Sequence, residues 1–259
     1  MGILNITPDS FSDGGKYFDK DIQMQRIVVD AVRMEREGAD FIDVGGESTR
    51  PSAKKVSIDE EINRVIPVIS EIKKHINIPI SIDTYKHEVA EEALKAGAVI
   101  VNDISGFRFD DKIAEVTKKY NASCVLMHIK GTPKMMQENP VYVNVIEEIK
   151  EYLNESILIA KNAGIEQIIV DPGIGFGKTY EHNVEIIKHL KEFKSLGYPV
   201  LLGLSKKRFI NGIYESTPDE RIEGTLTANT FGIINGANII RVHNVLENKR
   251  TALTADALK

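Results

Sequence analysis

The sequence has little of several residue types, and each shortage excludes a class of protein. Its 259 residues include one cysteine and no tryptophan, so a fold held together by internal disulfides is excluded. No run of about 18 apolar residues occurs, and we therefore predict no membrane-spanning helix. Basic residues are not in excess, because 33 Lys and Arg face 38 Asp and Glu, for a net charge of −5. That balance gives no reason to expect nucleic acid as a partner.

The single cysteine, Cys124, lies in the apolar run 123–127, where we expect a buried and unreactive thiol. A lone cysteine is typical of a protein from a reducing compartment. The N-terminus has neither the basic segment nor the cleavage site of a secretory signal. The sequence therefore predicts a cytoplasmic protein.

What the sequence does have is a regular alternation of short apolar runs and longer amphipathic stretches. The short runs are apolar throughout, a pattern that predicts parallel strands covered on both faces. The predicted strands are 2–6, 41–44, 80–83, 99–103, 123–128, 167–171, 200–204 and 239–242. The predicted helices, with apolar residues three to four positions apart, are 22–37, 59–75, 87–96, 111–120, 141–163, 181–195, 220–235 and 246–258.

Eight strand–helix units in 259 residues give about 32 residues per unit, the size expected of a closed (β/α)8 barrel. No proline-rich or serine-rich linker divides the chain. We therefore predict a single α/β domain over residues 1–259, folded as a TIM barrel. A doubly wound open sheet is the alternative, but eight similar units without an edge strand favour closure.

Polar residues stand where the predicted strands end. In chain order these ends carry Asn5, Asp43, Asp83, Asn102, Met127 with His128, Asp171, Gly203, and Arg241 with His243. In a barrel all of these ends meet on one face, where such folds place their chemistry. A helix cap or a rim hydrogen bond would explain any one of them, and we expect Asp43 to hold Asn5 or the glycine loop after strand two. Their recurrence predicts a shared polar ligand, because buried carboxylates need partners.

The cations at this face indicate an anionic group on the ligand. Arg241 and His243 alternate along strand eight, so we expect both side chains on the same side, an arrangement suited to phosphate or pyrophosphate. Lys207 follows strand seven at the predicted start of a helix and adds a second positive site.

The acceptors at the same face indicate a flat heterocycle that carries several N–H donors. Asp83, Asn102 and Asp171 lie on three separate strands and offer carboxylates and an amide. The segment 171–179 ends like a nucleotide-binding P-loop, but Pro172 stands where the first glycine of that motif is required, so we exclude a P-loop.

Several of these segments together resemble the dihydropteroate synthase family. Residues 1–15 resemble its first signature and residues 43–51 its second, and segments 81–84, 102–103, 171–177, 205–207 and 241–243 follow in the family's order. The resemblance covers nearly the whole chain. It implies a (β/α)8 transferase of folate biosynthesis that joins 6-hydroxymethyl-7,8-dihydropterin diphosphate to 4-aminobenzoate and releases pyrophosphate. It also implies Mg²⁺ as cofactor and a homodimer.

The resemblance implies roles for individual residues. The implied substrate-binding residues are Asp83, Asn102, Asp171 and Lys207 for the pterin, Arg241 and His243 for the diphosphate, Phe176 for the aminobenzoate, Thr49 and Pro51 in the second loop, and Met127 and Gly203 elsewhere at the strand ends. The implied Mg²⁺ ligand is Asn5. The residues expected to take part in catalysis are Asp13 in the first loop, Arg50 in the second, Lys207, Arg241 and His243. Both loops are expected to close after the pterin diphosphate is bound.

Two other functions remain open on the sequence. A barrel with the same pterin-binding positions could transfer a methyl group from a methyltetrahydrofolate to a corrinoid protein. Such proteins have no need of the Thr-Arg-Pro sequence at 49–51 or of the two anion sites, and this chain has all three. A non-catalytic pterin-binding module is the other possibility. It would be favoured by a loss of Lys207, Arg241 or the loop signatures, and none of these is lost.

Overall fold

Strands and helices alternate along the chain as the sequence predicts. The computed structural model describes residues 1–6, 20–50 and 53–259. The strands are β1 (Gly2–Asn5), β2 (Ile42–Gly45), β3 (Ile80–Asp83), β4 (Ile100–Asp103), β5 (Ser123–Met127), β6 (Ile168–Asp171), β7 (Leu201–Leu202) and β8 (Ile239–Ile240). The α-helices are α1 (Lys20–Arg36), α2 (Ile58–Ile72), α3 (His87–Ala96), α4 (Ile113–Lys119), α5 (Val145–Asn162), α6 (Tyr180–Lys188), α7 (Ile222–Ile234) and α8 (Val245–Ala257).

The eight parallel strands close into a barrel. Strands β1 to β6 are hydrogen-bonded in chain order, and β7 pairs with β8. Two hydrogen bonds complete the ring. The amide of Val170 in β6 donates to the carbonyl of Pro199 before β7 at 2.9 Å, and the amide of Ile3 in β1 donates to the carbonyl of Val242 after β8 at 2.9 Å. The predicted (β/α)8 barrel is confirmed, and the open-sheet alternative is wrong.

The barrel interior below the site is filled by apolar side chains. Met1, Ile100, Val125 and Leu201 form a buried cluster, against which Phe41, Ile169 and Ile239 pack. Side chains two positions apart on a strand share a face. Except for Met1, each of these residues stands two positions before a predicted site residue and therefore lies one layer beneath it. The site residues above them are Asp43, Asn102, Met127, Asp171, Gly203 and Arg241.

Cys124 faces outward from β5 and is buried between the strands and the helices. Burial raises the pKa of its thiol, so the sulfur stays protonated. The expectation of a buried and unreactive cysteine is confirmed. Among the helices of the described ranges, none has the length and apolar character needed to cross a bilayer.

Two predicted helices differ from the structure more than the others do, by a shifted start in one and a division in the other. Helix α5 begins at Val145 and not at residue 141, because the Asn144 side chain caps it by accepting the amides of Ile146 and Glu147 at 3.1 and 3.2 Å. The predicted helix 181–195 is divided at His189 into α6 and a 3₁₀ helix, Leu190–Leu196.

Candidate active site

Arg241 lies at the centre of a polar network where the strands end. Its Nε donates to Asp43 Oδ2 at 2.6 Å, and its Nη2 donates to Asp83 Oδ2 at 2.7 Å. Asn102 donates from Nδ2 to the same Asp43 oxygen at 2.9 Å. The ends of β2, β3, β4 and β8 therefore meet in one network, as the barrel requires. The expectation that Asp43 holds Asn5 or the glycine loop is wrong, because its side chain is bound by Arg241 and Asn102.

The charges of this network are unequal, since two carboxylates share one guanidinium. Burial raises the pKa of Asp83 to about 7, against the lowering effect of Arg241 and with a further rise from Asp43. Burial alone would lower the pKa of Arg241, but the two carboxylates outweigh it and raise that pKa. Asp43 is fully buried, whereas the Asp83 side chain keeps 18% exposure and faces the mouth. Asp83 is therefore the carboxylate available to a ligand.

A second group of site residues gathers at the ends of β6 and β7. Asp171 is buried, and its Oδ1 accepts the amide of Gly173 at 2.7 Å. Burial raises its pKa, and nearby Lys207 opposes that rise. Lys207 donates from Nζ to the carbonyl of Ile174, and Nζ lies 4.6 Å from the centre of the Phe176 ring. Burial lowers the pKa of Lys207 to about 8, against the raising effect of Asp171.

The loop after β6, residues 171–179, has a conformation that only glycine accommodates. Gly173, Gly175 and Gly177 have φ angles of +69°, +83° and +66°. A Cβ atom on Gly173 would lie 1.9 Å from the carbonyl oxygen of His128 at the end of β5. The glycines are therefore required both by the backbone angles and by the close approach of this loop to β5.

Lys178 is a buried residue of this loop whose importance the sequence analysis missed. Its Nζ donates to the carbonyls of Gly173 and Phe176 at 2.8 and 2.9 Å and lies 2.8 Å from His128 Nδ1. Burial lowers the pKa of Lys178 well below its usual range and lowers that of His128 as well. The sequence contains one signal for this role. His128 directly follows the apolar run 123–127, and Lys178 directly follows the glycine-rich stretch 173–177, so both stand next to segments that the fold largely buries.

His243 and Arg241 both lie at the mouth, just past the regular end of β8. The ring Nδ1 of His243 lies 2.9 Å from the hydroxyl of Ser205 beyond β7. Enclosure at the rim, together with the positive charges of Arg241 and Lys206, lowers the pKa of His243 to about 4. The predicted strand 239–242 is longer than the regular strand Ile239–Ile240, although the Arg241 amide still donates to the carbonyl of Leu202 in β7 at 3.0 Å.

The loop after β2 carries Thr49 and the exposed Arg50, and it is held at its root by buried charges. Lys86 places Nζ 2.8 Å from Glu47 Oε2 and 2.5 Å from Glu61 Oε2. Burial raises the pKa of Glu61. This ion network was not predicted. Of the predicted loop residues, Asp13 and Pro51 lie outside the described residues.

The remaining predicted residues line the mouth. Asn5 ends β1 opposite Gly45, and a Cβ atom on Gly45 would lie 3.6 Å from both Asn5 Oδ1 and Asp83 Oδ2. Met127 is buried in an apolar cluster against which Phe176 packs. A Cβ atom on Gly203 would lie 3.9 Å from Lys207 Nζ. The structure therefore places every described site residue on one end of the barrel.

The fold and these residues together define a barrel protein with a mouth of carboxylates, an amide and cations. The chain belongs to the pterin binding enzymes, a family that matches residues 1–243. Within that family it belongs with the dihydropteroate synthases. It is 51% identical to the dihydropteroate synthase of Clostridium beijerinckii, over 100% of this chain and 93% of that protein. The predicted family is thereby confirmed.

Two solved structures show the same similarity. The dihydropteroate synthase of Clostridium difficile, determined in the presence of pteroic acid, has a TM-score of 0.92 and 45% identity, over 99% of this chain and 95% of that chain. The dihydropteroate synthase of Xanthomonas albilineans with 4-aminobenzoic acid has a TM-score of 0.91 and 38% identity, over 99% of this chain and 91% of that chain.

Proposed function

We propose that this protein joins 6-hydroxymethyl-7,8-dihydropterin diphosphate to 4-aminobenzoate, giving 7,8-dihydropteroate and pyrophosphate. The observation that carries the proposal is the convergence of Asp83, Asn102, Asp171, Lys207 and Arg241 on one end of the barrel. The names of the relatives support the same reaction, because they are synthases of dihydropteroate and two of their structures hold pteroic acid or 4-aminobenzoic acid.

The pterin would be recognised by its ring edges. Asp171 uses Oδ1 for the Gly173 amide, so Oδ2 is directed to the guanidine-like edge of the pterin. Asp83 and Asn102 would hold the other N–H and carbonyl groups of the ring. Lys207 would donate to the ring carbonyl or a ring nitrogen. Met127 supplies an apolar contact for a ring face, and Gly203 leaves room beside Lys207, because a side chain there would reach its Nζ.

The diphosphate would lie against the guanidinium of Arg241 and the neutral ring of His243, beyond β8. Arg241 uses Nε and Nη2 for Asp43 and Asp83, and its Nη1 makes no hydrogen bond within the described part of the chain. Nη1 and the His243 ring would contact the leaving group. The C–O bond to the diphosphate breaks, and the positive charge at the exocyclic methylene is delocalised into the pterin. The neutral amine of 4-aminobenzoate then forms the C–N bond and loses a proton. Positioning and leaving-group stabilisation supply the catalysis.

Asp13 and Arg50 would act from the loops after β1 and β2, with Thr49 and Pro51 contacting substrate. Phe176 would contact the ring of 4-aminobenzoate. Closure of the two loops over a bound pterin diphosphate would exclude water from the cationic methylene.

The end of β1 fits Mg²⁺ by the chemistry of its donors. Mg²⁺ prefers oxygen ligands and is commonly held by one or two protein groups together with substrate phosphates. Asn5 presents an amide oxygen beside Gly45, close to the proposed diphosphate site. When bound there, Mg²⁺ would neutralise the diphosphate and ease its departure. Another group, His87, Glu88 and Asp110, lies at the start of α3, and its members are already engaged, since Asp110 Oδ2 accepts the His87 amide at 2.9 Å.

A second copy of this chain is the partner that we propose for the face formed by α7 and α8. Phe231 and Ile234 on α7 are 46% and 52% exposed, although the opposite side of that helix packs on the barrel. A helix that is apolar on all sides is normally buried on all sides. We place this dimer in the cytoplasm, since a single buried thiol is suited to a reducing compartment.

The function is tested by mixing the purified protein with the pterin diphosphate, 4-aminobenzoate and Mg²⁺. We expect equal amounts of dihydropteroate and pyrophosphate, and none when any one substrate is left out. A parallel incubation with methyltetrahydrofolate and cob(I)alamin tests the methyltransferase alternative. Methyl transfer in that mixture without dihydropteroate in the first would contradict the proposal.

A further inference from the structure

Within the loop after β6, all five carbonyl groups of the stretch Gly173–Gly177 accept hydrogen bonds from side chains outside that stretch. These contacts run in chain order: Gly173 accepts from Lys178 Nζ at 2.8 Å, Ile174 from Lys207 Nζ, Gly175 from Gln137 Nε2 at 2.5 Å, Phe176 from Lys178 Nζ at 2.9 Å, and Gly177 from the Tyr142 hydroxyl at 2.7 Å. Five consecutive carbonyls thus have side-chain donors, a pattern unlike a helix or a strand, where the backbone supplies them.

We propose that Lys178 is a positioning residue of the active site, which acts with Gln137 and Tyr142 to hold this loop in one conformation. The proposal rests on the function proposed above. The loop in turn places two groups of the site: the carbonyl of Ile174, which receives Lys207 Nζ, and the ring of Phe176, 4.6 Å from that nitrogen. Lys178 itself is buried behind the loop and is not assigned a contact with substrate.

The surroundings of Lys178 explain why a lysine is needed there. Burying an amino group is costly unless it is hydrogen-bonded, and the cost to the charged form is what lowers the pKa of Lys178. Two carbonyls of the loop accept from Nζ at 2.8 and 2.9 Å, and His128 Nδ1, directly after β5, lies 2.8 Å from it. An apolar residue would leave the carbonyl of Phe176 without this donor, and the carbonyl of Gly173 with only the Phe176 amide, at 3.1 Å. Because His128 belongs to the strand wall, the same contacts fix the loop to the barrel.

Three hydrogen bonds to its backbone amides also help to hold the loop: Gly173 donates to Asp171 Oδ1 and Gly175 to Asn183 Oδ1, both at 2.7 Å, and Phe176 donates to the carbonyl of Gly173 at 3.1 Å. The carbonyl contacts are needed beside them because the backbone here is unusually free. Three of its five residues are glycines at positive φ, and glycine has the largest choice of alternative conformations. Gln137 and Tyr142 reach it from the segment between β5 and α5, and their two hydrogen bonds fasten that segment to the loop. Removal of the donors should therefore let the loop relax and bring water to Lys207.

The test replaces the donors one group at a time. Lys178→Met removes two of the five contacts. The double variant Gln137→Ala with Tyr142→Phe removes two others and leaves Lys178 in place. Asn235→Ala is the control, because Asn235 also donates an amide N–H to a backbone carbonyl, that of Phe231 at 2.9 Å, at the far end of α7. The first measurement is the pKa of Lys207, obtained from the pH dependence of its acylation by acetic anhydride and mass spectrometry.

We expect the pKa of Lys207 to rise in both variants from about 8 toward its ordinary value of 10.5, because water replaces the carbonyl and the ring around Nζ. Asp171, Asp83 and Arg241, which face Lys207, are unchanged in both variants. Lys178→Met also removes an amine that interacts with Lys207, so the double variant is the one that isolates the effect of the loop. We also expect KM for 4-aminobenzoate to rise between about tenfold and a hundredfold, because the Phe176 ring that we propose as its contact is displaced. The loss of kcat should be smaller. The control should change neither quantity.

The results separate this proposal from the proposed function. If the parent protein makes no dihydropteroate, the function is wrong, and the acylation measurement still decides whether Lys178 positions Lys207. If Lys178→Met does not fold, the double variant gives the decision. An unchanged pKa of Lys207 and an unchanged KM in the double variant, or in folded Lys178→Met, would overturn the proposal, even when the melting temperature falls.

Discussion

At the scale of single residues, Arg241 has a structural task in addition to the functional one that we propose for it. Asp43 is fully buried, and apart from Arg241 its described side-chain partner is the neutral Asn102. Asp83 depends on the same guanidinium. A charge left alone in such a place is far more costly than a broken ion pair on the surface. Arg241, which we assign to the diphosphate, is therefore also the counterion of the two carboxylates at the mouth.

We predict that Arg241→Ala will lower the free energy of unfolding by about 3–5 kcal/mol at neutral pH, because it leaves Asp43 as an uncompensated buried charge. Pyrophosphate binding in the presence of Mg²⁺ should weaken as well, by about 1.5–3 kcal/mol for a lost charge-assisted contact. Denaturant unfolding and calorimetry measure the two effects. Arg33→Ala is a suitable control, since Arg33 also pairs with two carboxylates, Asp30 and Glu37, but on the surface. Equal losses of stability in the two variants would contradict this account.

The pKa of Lys207 predicts how activity depends on pH. Burial lowers that pKa to about 8, below the ordinary value of 10.5. In the proposed reaction the protonated Lys207 gives the pterin a charge-assisted hydrogen bond, which is stronger than one from a neutral amine, so this form is lost as pH rises through its pKa. We expect kcat/KM for the pterin diphosphate, which reports the free enzyme, to fall above about pH 8. A profile that stays flat to pH 10 would show that Lys207 is not needed as a donor.

The sequence predicted which residues gather at one end of the barrel but not which of them contact each other. The alternation of strands and helices predicts that Asp83, Asp171 and Arg241 reach one face, because strand ends meet there in any barrel. The pairing of Arg241 with Asp43 joins positions 198 residues apart. It depends on side-chain lengths and on the closure of β8 against β1, for which a single sequence contains no pattern.

At the scale of elements, the loop after β2 is fixed at its root and exposed at Arg50. Glu47 and Glu61 share Lys86, and Arg64 of α2 donates from Nη1 to the carbonyl of Gly46 at 2.8 Å. None of these contacts involves a residue that we propose to bind the pterin. If the loop closes as proposed, we expect it to bring Arg50 over a bound ligand without disturbing Asp83.

We predict that Arg50→Ala will separate pterin binding from turnover. Pterin affinity should remain nearly the same, because Asp171, Asp83 and Asn102 are untouched, while product formation and 4-aminobenzoate capture should fall by about 10²-fold. Calorimetry with a pterin and steady-state kinetics measure the two quantities. Lys54→Ala, which removes an exposed charge four residues further along, should leave both unchanged. A parallel fall in pterin affinity would place Arg50 in the pterin site instead.

The helix bounds show where sequence patterns were insufficient. Apolar periodicity predicted α5 from residue 141, since Val141 and Val143 continue its pattern, but both are exposed and the Asn144 cap sets the start. The role of Lys178 was missed for a related reason. The three glycines next to it resemble part of a nucleotide-binding motif that the sequence does not complete. Only the folded loop shows that the Lys178 side chain lies behind these glycines and donates to the loop carbonyls.

At the scale of the whole molecule, the barrel separates stability from chemistry by layers. The interior layer of Ile100, Val125, Leu201 and their neighbours is apolar, and the layer two positions further along each strand carries the site. Replacement of a site residue therefore leaves that interior packing in place. The exposed apolar side of α7 lies on the outer surface and belongs to neither layer.

This face of α7 and α8 has properties suited to two-fold association. The groove between the helices is lined by Leu226 and Thr230 on one side and by Glu247 and Arg250 on the other. Neither of those two charged residues forms an ion pair within the described part of the chain. In a two-fold interface each residue meets the partner's copy of its counterpart, so Arg250 of one subunit can pair with Glu247 of the other.

We therefore predict that the parent protein sediments as a dimer and that Phe231→Glu, which places a charge in this apolar face, sediments as a monomer. The matched control is Val29→Glu on α1, where an apolar side chain with 64% exposure is replaced far from α7. Sedimentation velocity at several concentrations measures the assembly, and thermal unfolding verifies that both variants are folded. Because the mouth of the barrel is built within one chain, pterin binding by the monomer should remain. A parent that sediments as a monomer would refute the dimer, and a Phe231→Glu protein that stays dimeric would place its interface elsewhere.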